Sequence, residues 1–307
     1  MPEHMADIFD VERFATHDGN GIRTTVFFKG CPLRCAWCHN PEGIKRKRQV
    51  LYMETKCIHC GSCVRASVSG GVHSGADHRI CVQREADENW DRLVEQCPAG
   101  ALVWDSRQYS MEELLQLVLR DEAFFRHGGG VTVSGGEPLL QADFIREFLQ
   151  RLQKMGIHTA MESSLQAAPA ELQKVLPYID QIYADCKLFD CALHRHWTKQ
   201  DNEQIKENIR WLLQPWFREK VVIRTPLIPE ITATRENIAS IAGFLQSCWQ
   251  GTRYELLNYN PLAAAKYPLL GTDYCLDKNL PRYTLAELEQ LAGFAKRAGL
   301  QQVSFER

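Results

Sequence analysis

Three cysteines near the start of the chain have the spacing of metal ligands. Cys31, Cys35 and Cys38 lie three and then two residues apart within the stretch 29–42, and no fourth cysteine is near them in the sequence. Three thiolates cannot complete a four-coordinate zinc site, but they can bind three irons of a cubane cluster and leave the fourth iron open. The spacing therefore predicts a [4Fe–4S] cluster whose open iron is a place for chemistry. A zinc knuckle that borrows a remote ligand is the alternative.

A second group of cysteines lies between residues 50 and 104, where glycine, serine, histidine and cysteine are frequent and helical periodicity is weak. Cys57, Cys60 and Cys63 have the C-x2-C-x2-C spacing of a bacterial ferredoxin, and Cys97 precedes a proline, as the last cysteine of such a run does. These four thiols form one complete ligand set. They predict one auxiliary [4Fe–4S] cluster in a ferredoxin-like insert.

The ligands of a second auxiliary cluster are missing from the same segment. Ser67 stands where the first run would have its fourth cysteine, and Asp87, Trp90 and Leu93 stand where the second run would have its first three. Cys81 is an alternative to Cys97 as the fourth ligand, because the long gap leaves either residue within reach. A structural zinc site is an alternative use of the four thiols.

Composition excludes several functional classes. The chain has 307 residues, of which 45% are hydrophobic, so it can bury a full core. Its net charge of −2 gives no attraction to nucleic acid or to a membrane surface, and the basic run at 45–48 is short enough to be a solvated loop. No apolar stretch has the length of a membrane span, and residues 1–7 are too polar for a signal peptide. We therefore expect a cytoplasmic protein, in which twelve cysteines stay reduced.

The remainder of the chain alternates between strand and helix patterns. An edge strand is expected at 8–18 and a first buried strand at 23–29, where β-branched and aromatic residues are frequent. After the insert, a capping box at 110–113 begins a helix that extends to residue 119. Further strands are predicted at 131–133, 157–162, 180–186, 219–225, 253–258 and 301–305, and further helices at 141–154, 168–176, 201–213, 234–248 and 284–298.

Six strands precede helices in this order, which predicts an α/β fold with a partial parallel (β/α)6 barrel of the TIM type. The expected domains are the barrel, formed by residues 1–49 and 105–307, and the small iron–sulfur insert, residues 50–104. Sites in such barrels assemble at the carboxyl ends of the strands.

Polar residues follow these strands at the ends where a single barrel mouth would form. Ser134, Gly135, Gly136 and Glu137 follow the second strand, and paired glycines let a backbone approach a ligand closely. Further strand ends supply Glu162 and Ser163, then Asp185 and Lys187, then Arg224, and finally Asn258 and Asn260.

With these residues assembled, the chain resembles the radical S-adenosylmethionine (SAM) enzymes and, within them, the glycyl radical enzyme activating enzymes. The matching segments are 17–23, 29–42, 128–138, 185–187 and 256–260. The first two together are specific to this family. The insert resembles that of the subgroup that activates partners other than pyruvate formate-lyase itself.

The resemblance implies a chemistry. The amino and carboxylate groups of SAM would bind the open iron, and one electron would cleave the sulfonium to a 5′-deoxyadenosyl radical that takes a hydrogen atom from a glycine Cα of a partner protein. Cys31, Cys35, Cys38 and Lys187 are the expected catalytic set, with Lys187 at the SAM carboxylate. The backbone and carboxylate of the Gly-Gly-Glu motif would receive the SAM amino group. The full set of expected cofactor contacts is Trp37, Asn40, Gly135, Gly136, Glu137, Glu162, Ser163, Asp185, Lys187, Arg224 and Asn260.

Further expectations follow from the same resemblance. Glu162, Ser163 and Asp185 would line a monovalent-cation site, and flavodoxin or ferredoxin would supply the electron. Three departures from the family pattern stand out: Asn20 replaces a proline, Asn260 replaces a histidine, and 197–200 replaces a common Thr-Gly pair. The competing hypotheses are a radical SAM enzyme that acts on a small molecule and a two-cluster electron-transfer protein.

Overall fold

Two N-terminal strands form an antiparallel pair, β1 (Met5–Ala15) and β2 (Arg23–Phe28). β2 is buried along nearly its whole length, as its threonine, valine and phenylalanine residues predict. The computed structural model describes residues 5–75 and 79–306. The first four residues of the polar N-terminal segment therefore lie outside the described part of the chain.

Residues 29–42, which we call the cluster loop, follow β2 directly. The insert, residues 50–104, comes next. Its described residues form short elements, which are β3 (Val50–Tyr52), a 3₁₀ helix (Glu54–Lys56), α1 (Ser62–Ala66), β4 (Val72–Ser74), β5 (Ile80–Val82), α2 (Trp90–Glu95) and β6 (Leu102–Trp104). β3 pairs with β6, and β4 pairs with β5, both in antiparallel fashion. The two ends of the insert therefore lie side by side. Its ferredoxin-like topology and the division into two domains stay predictions.

Strands and helices then alternate to the end of the described chain. They are β7 (Arg107–Ser110), α3 (Met111–Leu119), β8 (Gly130–Gly135), α4 (Ala142–Lys154), β9 (His158–Ser163), α5 (Pro169–Val175), β10 (Gln181–Asp185), α6 (Cys191–Thr198), α7 (Glu203–Leu212), β11 (Val221–Pro226), α8 (Arg235–Cys248), β12 (Arg253–Leu257), α9 (Leu285–Arg297) and β13 (Val303–Phe305). A 3₁₀ helix, Pro261–Leu270, lies between β12 and α9. The capping box predicted at Ser110 and Glu113 is present.

The main sheet has the strand order β13-β12-β11-β10-β9-β8-β2-β1-β7. All strands from β2 to β13 in this order are parallel, whereas β1 is antiparallel to both of its neighbours. The predicted α/β class and parallel barrel are confirmed. Six strands precede helices as expected, and β13 adds a further parallel strand. Within the described residues no ladder joins β13 to β7, so the barrel stays open.

One prediction about the sheet is wrong. The first strand does not lie at the edge, because β7 pairs with its outer side through Met5↔Ser110 and the three residue pairs that follow. β7 consists of four residues, Arg-Gln-Tyr-Ser, of which the first two are exposed and only the last is buried. So short and polar a segment carries no hydrophobic alternation from which a strand could be predicted.

The core lies between the parallel strands and the helices that cover them. Val131 and Val133 of β8, Ile182 of β10 and Ile223 of β11 are fully buried, and Phe148 of α4 packs into the same cluster. This packing fixes the strands side by side, so their carboxyl ends and the loops that follow them face one region. No helix in the described residues is long and apolar enough to cross a bilayer.

Candidate active site

The three cysteines of the cluster loop lie close together and are partly buried. Burial raises the pKa of the Cys31 thiol, and the charges of Cys35 and Cys38 raise it further. The pKa of Cys38 is raised to about 12, again chiefly by burial and then by Cys35. Thiols held together in this way are stable as thiolates only beside positive charge, and iron ligation supplies it. The residues therefore fit a cluster.

No three His, Cys, Asp or Glu side chains in residues 5–75 and 79–306 converge closely enough to hold a single metal ion. A cubane cluster does not need such convergence, because each of its thiolates binds a different iron.

Helix α6 holds the first half of the cluster loop. The backbone N–H of Arg34 donates to Thr198 O at 2.7 Å, and that of Ala36 donates to Trp197 O at 3.0 Å. Lys199 ends the helix with φ of +67°, a left-handed conformation that favours glycine. The segment 197–200, which replaces the Thr-Gly pair of the family pattern, thus places Lys199 at a position whose backbone conformation favours glycine.

Gly135 and Gly136 are required by backbone packing. A Cβ on Gly135 would lie 2.3 Å from Phe28 O, and one on Gly136 would lie 2.2 Å from Gly30 O. The Gly136 N–H donates to Phe28 O at 2.9 Å, and the Glu137 N–H donates to Gly30 O at 2.7 Å. The paired glycines therefore let the loop after β8 lie directly against the start of the cluster loop.

A polar cavity of about 560 Å³ lies inside the barrel mouth. This volume is typical of small-molecule sites. The residues 16–20 form part of its wall. Seven predicted cofactor contacts line it: Asn40, Gly135, Gly136, Glu162, Ser163, Asp185 and Arg224. The cavity is also lined by Asp18, Tyr183, Glu255 and Glu306, which the sequence analysis did not single out.

The Glu137 carboxylate does not line the cavity. It is fully buried and accepts hydrogen bonds from Ser163 Oγ at 2.8 Å, from the Ser164 N–H at 2.9 Å, from Ser164 Oγ at 2.5 Å and from the Leu139 N–H at 3.2 Å. Burial raises its pKa, although these hydrogen bonds oppose the shift. The carboxylate thus ties the loop after β8 to the loop after β9, and its expected contact with SAM stays a prediction.

Arg224 forms ion pairs with two glutamates that line the cavity. Arg224 Nη1 lies 2.6 Å from Glu162 Oε1, and its Nε lies 2.6 Å from Glu255 Oε2. The guanidinium also stacks on the Tyr183 ring, 3.7 Å from the centroid. Ser134 Oγ donates to the second oxygen of Glu162 at 2.7 Å. Burial raises the pKa of Glu162, whereas the Arg224 charge lowers it.

Lys187 lies between the cavity and the cysteines. Its ammonium pairs with the Asp185 carboxylate. Burial works against the charged form, but the negative charges of Asp185 and Cys35 raise the pKa of Lys187 above its ordinary value. A lysine that stays protonated beside Cys35 suits an anionic ligand of the cluster.

Like Glu137 and Lys187, two further expected contacts do not line the cavity. Trp37 is buried in a small apolar cluster with Leu188, Ile228 and Tyr259. Asn260 caps the 3₁₀ helix, because its Oδ1 accepts a hydrogen bond from the Leu262 N–H at 3.1 Å. Their roles in cofactor binding stay predictions.

The four predicted ligands of the auxiliary cluster line one small pocket, whereas Cys81 does not. Burial and then the charges of Cys97 and Cys57 raise the pKa of Cys63, which shows that the thiols are near one another. The Ala101 N–H donates to Cys97 Sγ at 3.2 Å, a hydrogen bond of the kind that cluster sulfurs receive. These residues fit a cluster.

The space of a second auxiliary cluster is filled by other side chains. Leu93 and Trp90 pack with Ala66, Val72 and Ile80 in an apolar cluster. Ser67, at the position of the absent cysteine, donates through Oγ to Glu88. The Glu88 carboxylate also accepts from the N–H groups of residues 68, 69 and 71 at 3.1, 2.8 and 3.0 Å.

The sequence analysis missed a lysine that contacts the cluster loop. Lys266 Nζ donates to Asn40 Oδ1 at 2.8 Å and to Glu42 Oε1 at 2.6 Å. Lys266 is the one charged residue of the otherwise apolar run 261–270. A lone lysine in such a run is a signal of a buried partner, which sequence alone does not name.

Comparisons with known proteins identify the family to which the chain belongs. The model of the radical SAM superfamily matches residues 25–242. The structure of SuiB from Streptococcus suis, bound to the precursor peptide SuiA, covers 90% of this chain and 46% of its own, with a TM-score of 0.54 and 12% sequence identity, and so shares the fold. Fold, three-thiol loop and family match together define a radical SAM enzyme.

Two relatives of known activity indicate a family within the radical SAM enzymes. The chain is 38% identical to the indoleacetate decarboxylase activating enzyme of Tractidigestivibacter scatoligenes, over 96% of each chain. It is 36% identical to the pyruvate formate-lyase 2-activating enzyme of Escherichia coli K12, over 97% of this chain and 92% of that one. The protein therefore belongs to the glycyl radical enzyme activating enzymes. This membership excludes an electron-transfer protein without SAM chemistry.

Proposed function

We propose that the protein installs the glycyl radical of a partner enzyme, with Cys31, Cys35 and Cys38 as ligands of the SAM-binding cluster. The observation that carries the proposal is that the loop holding these thiols reaches the cavity, which is lined by Asn40, two residues after Cys38, and by Asp185. A cluster held by these residues would pass one electron to bound SAM and so supply the radical chemistry that removes a hydrogen atom from a glycine Cα, with 5′-deoxyadenosine and methionine as the products.

The residues of this chain bind and orient SAM. The negative charges of Asp185 and Cys35 raise the pKa of Lys187 and so favour its protonated form. We therefore assign this ammonium group to the SAM carboxylate. Gly135 and Gly136 line the cavity, and we assign hydrogen bonds with the SAM amino group to the polar backbone atoms of this segment. A carbon radical reacts with whatever it meets, so holding the glycine at short range is the main contribution of the protein to rate and selectivity.

A monovalent cation beside the SAM carboxylate is also proposed, with Glu162, Ser163 and Asp185 as ligands. All three line the cavity, which supports the proposal. Arg224 already neutralises part of the Glu162 charge, so a cation would share that carboxylate with the guanidinium.

We assign one auxiliary [4Fe–4S] cluster to Cys57, Cys60, Cys63 and Cys97, on the ground that these four residues line one pocket. The electron donor is proposed to be a flavodoxin or a ferredoxin. None of the twelve cysteines, all of which lie in the described residues, forms a disulfide, which favours a reducing cytoplasmic location.

The partner is proposed as a glycyl radical enzyme that presents its glycine on an extended loop at the barrel mouth. The two relatives compared above activate a decarboxylase and a formate-lyase, respectively. Their identities to this chain differ by only two percentage points, 38% and 36%, so sequence similarity favours neither partner. The neighbouring reading frames in the genome are the first source of candidates.

The test is anaerobic. The reduced protein is expected to convert SAM to 5′-deoxyadenosine and methionine, and to produce a glycyl electron-spin signal when mixed with the right partner. Cys35→Ala should abolish both products, whereas Cys248→Ala, at a partly buried cysteine outside both ligand sets, should retain them. Cleavage of SAM by the Cys35→Ala variant would refute the site assignment.

A further inference from the structure

The chain crosses back over the cluster loop after β12. We call residues 261–275, which make this crossing, the strap. Tyr267 OH donates to Cys38 O at 3.1 Å, and Cys275 Sγ contacts Ala36 O at 3.3 Å. The strap therefore contacts the cluster loop at its last cysteine and two residues before it.

Among the described residues, Lys266 makes the only ionic contact between the strap and the cluster loop. Its Nζ lies 2.6 Å from Glu42 Oε1 and 2.8 Å from Asn40 Oδ1. The Glu42 side chain is 15% exposed and its Oε2 is buried without a hydrogen-bond partner. The Lys266 ammonium is therefore the group that compensates a carboxylate largely removed from water.

The contact with Lys266 determines which way the Asn40 amide points. An ammonium group only donates hydrogen bonds, so the Asn40 oxygen must face it. The Asn40 NH₂ group then points away from Lys266. Since Asn40 lines the cavity, this orientation offers a hydrogen-bond donor to a ligand there.

We propose that Lys266 is a positioning residue for SAM binding: it holds the Asn40 amide with its NH₂ group toward the acceptor atoms of the bound nucleoside. The inference rests on the proposed function. Without the ammonium, the Glu42 carboxylate becomes the nearest charged acceptor and competes for the Asn40 NH₂ group. The amide would then turn its oxygen toward the cavity, where it repels the same acceptor atoms.

The test compares SAM affinity across a set of variants of the reconstituted full-length protein under anaerobic conditions. Lys266→Met keeps the apolar stem and removes the donors, and Lys266→Arg keeps donors. Lys278→Met changes an exposed lysine in the following loop and is the matched control. The readouts are the dissociation constant of SAM, the iron content and the change in the electron-spin signal of the reduced cluster on SAM addition.

One hydrogen bond of this kind corresponds to about tenfold in affinity. Lys266→Met should therefore weaken SAM binding about tenfold with iron content unchanged. Lys266→Arg should lose much less, and Lys278→Met nothing. In steady-state kinetics of Lys266→Met, the KM for SAM should rise by a larger factor than the factor by which kcat, measured at saturating SAM, decreases.

A double-mutant cycle decides whether Asn40 transmits the effect. Asn40→Ala should weaken SAM binding by a similar factor, and adding Lys266→Met to it should change affinity less than twofold. Full additivity of the two changes would overturn the proposal, as would wild-type affinity in Asn40→Ala or loss of iron in Lys266→Met. If wild-type protein binds SAM with this dependence on Lys266 but yields no 5′-deoxyadenosine, the proposed function fails and the positioning role stands.

Discussion

Lys29 and Asp105 form an ion pair in which both side chains are buried away from water. Lys29 Nζ lies 2.7 Å from Asp105 Oδ2, and both side chains have no exposed surface. The ammonium also donates to Glu42 O at 2.5 Å, and the second carboxylate oxygen accepts from the Gln49 N–H at 3.0 Å. The pair thus joins the first residue of the cluster loop to the residue that follows the insert.

Removing one member of this pair should be costly. Lys29→Met leaves the Asp105 carboxylate buried without its counter-ion, and such changes destabilise a protein by about 3–5 kcal/mol. Denaturant unfolding is the measurement. The double variant Lys29→Met/Asp105→Leu should recover most of the loss, because it removes the unpaired charge. A double variant as unstable as the single one would show that the pair is not the cause.

The fourth ligand of the auxiliary cluster can be decided by iron analysis. Cys97→Ala should lose about four irons per chain, the content of one [4Fe–4S] cluster. Cys81→Ala is the matched control within the same insert, and it should retain the wild-type content because Cys81 does not line the pocket. The opposite result would assign the ligand to Cys81. Iron and sulfide assays on anaerobically reconstituted protein suffice.

Lys199 should gain stability from substitution by glycine. Its φ of +67° costs a residue with a Cβ about 1 kcal/mol, so Lys199→Gly should raise the free energy of unfolding by about that amount. Lys199→Ala keeps the Cβ and should show no comparable gain. Equal gains in the two variants would mean that loss of the lysine side chain, rather than relief of the backbone, is responsible.

Glu88 should make the insert sensitive to acid. Burial works against the charged carboxylate, yet hydrogen bonds from Ser67 and from the backbone of Ser69 and Val68 lower its pKa to about 2 from an ordinary 4.5. A lowered folded-state pKa contributes stability above the unfolded value, and this stability is lost as pH falls from about 4.5 toward 2.

Glu88→Gln should therefore lower the urea midpoint at pH 6, and the difference from wild type should shrink as the pH is brought to 3. Glu85→Gln, at an exposed surface pair with Lys45, is the control and should change little at either pH. A difference between Glu88→Gln and wild type that does not vary with pH would contradict the assignment.

The parallel strands and most helices could be predicted because their hydrophobic patterns are local. Helix α8 was expected at 234–248 and is observed at Arg235–Cys248. The spacing of Cys31, Cys35 and Cys38 likewise lies in one short stretch. β7 could not be predicted, because its pairing with β1 depends on a partner about a hundred residues away. Helix α6 is absent from the sequence-based prediction although Asp190 caps it, because three of its eight residues are basic and its two buried residues, His194 and Thr198, are polar, so no apolar face marks it.

The details of the site depend on contacts between distant residues, which a single sequence does not display. Lys266 and Asn40 are 226 positions apart. The paired glycines line the cavity as their sequence suggests, and the structure adds a second requirement: a Cβ at Gly135 or Gly136 would collide with the backbone of Phe28 or Gly30. The contact of Glu137 with SAM stays a prediction, and the hydrogen bonds that its carboxylate accepts from Ser163 and Ser164 come from residues that the sequence does not link to it.

The pairing of β3 with β6 has an evolutionary consequence. Because the chain leaves the barrel at Val50 and returns at Trp104 on neighbouring strands that face each other in register, a short turn could replace everything between them without separating any barrel strand. The segment between β3 and β6, to which we assign the auxiliary cluster, could therefore be gained, lost or exchanged in evolution while the residues at the barrel mouth are inherited unchanged.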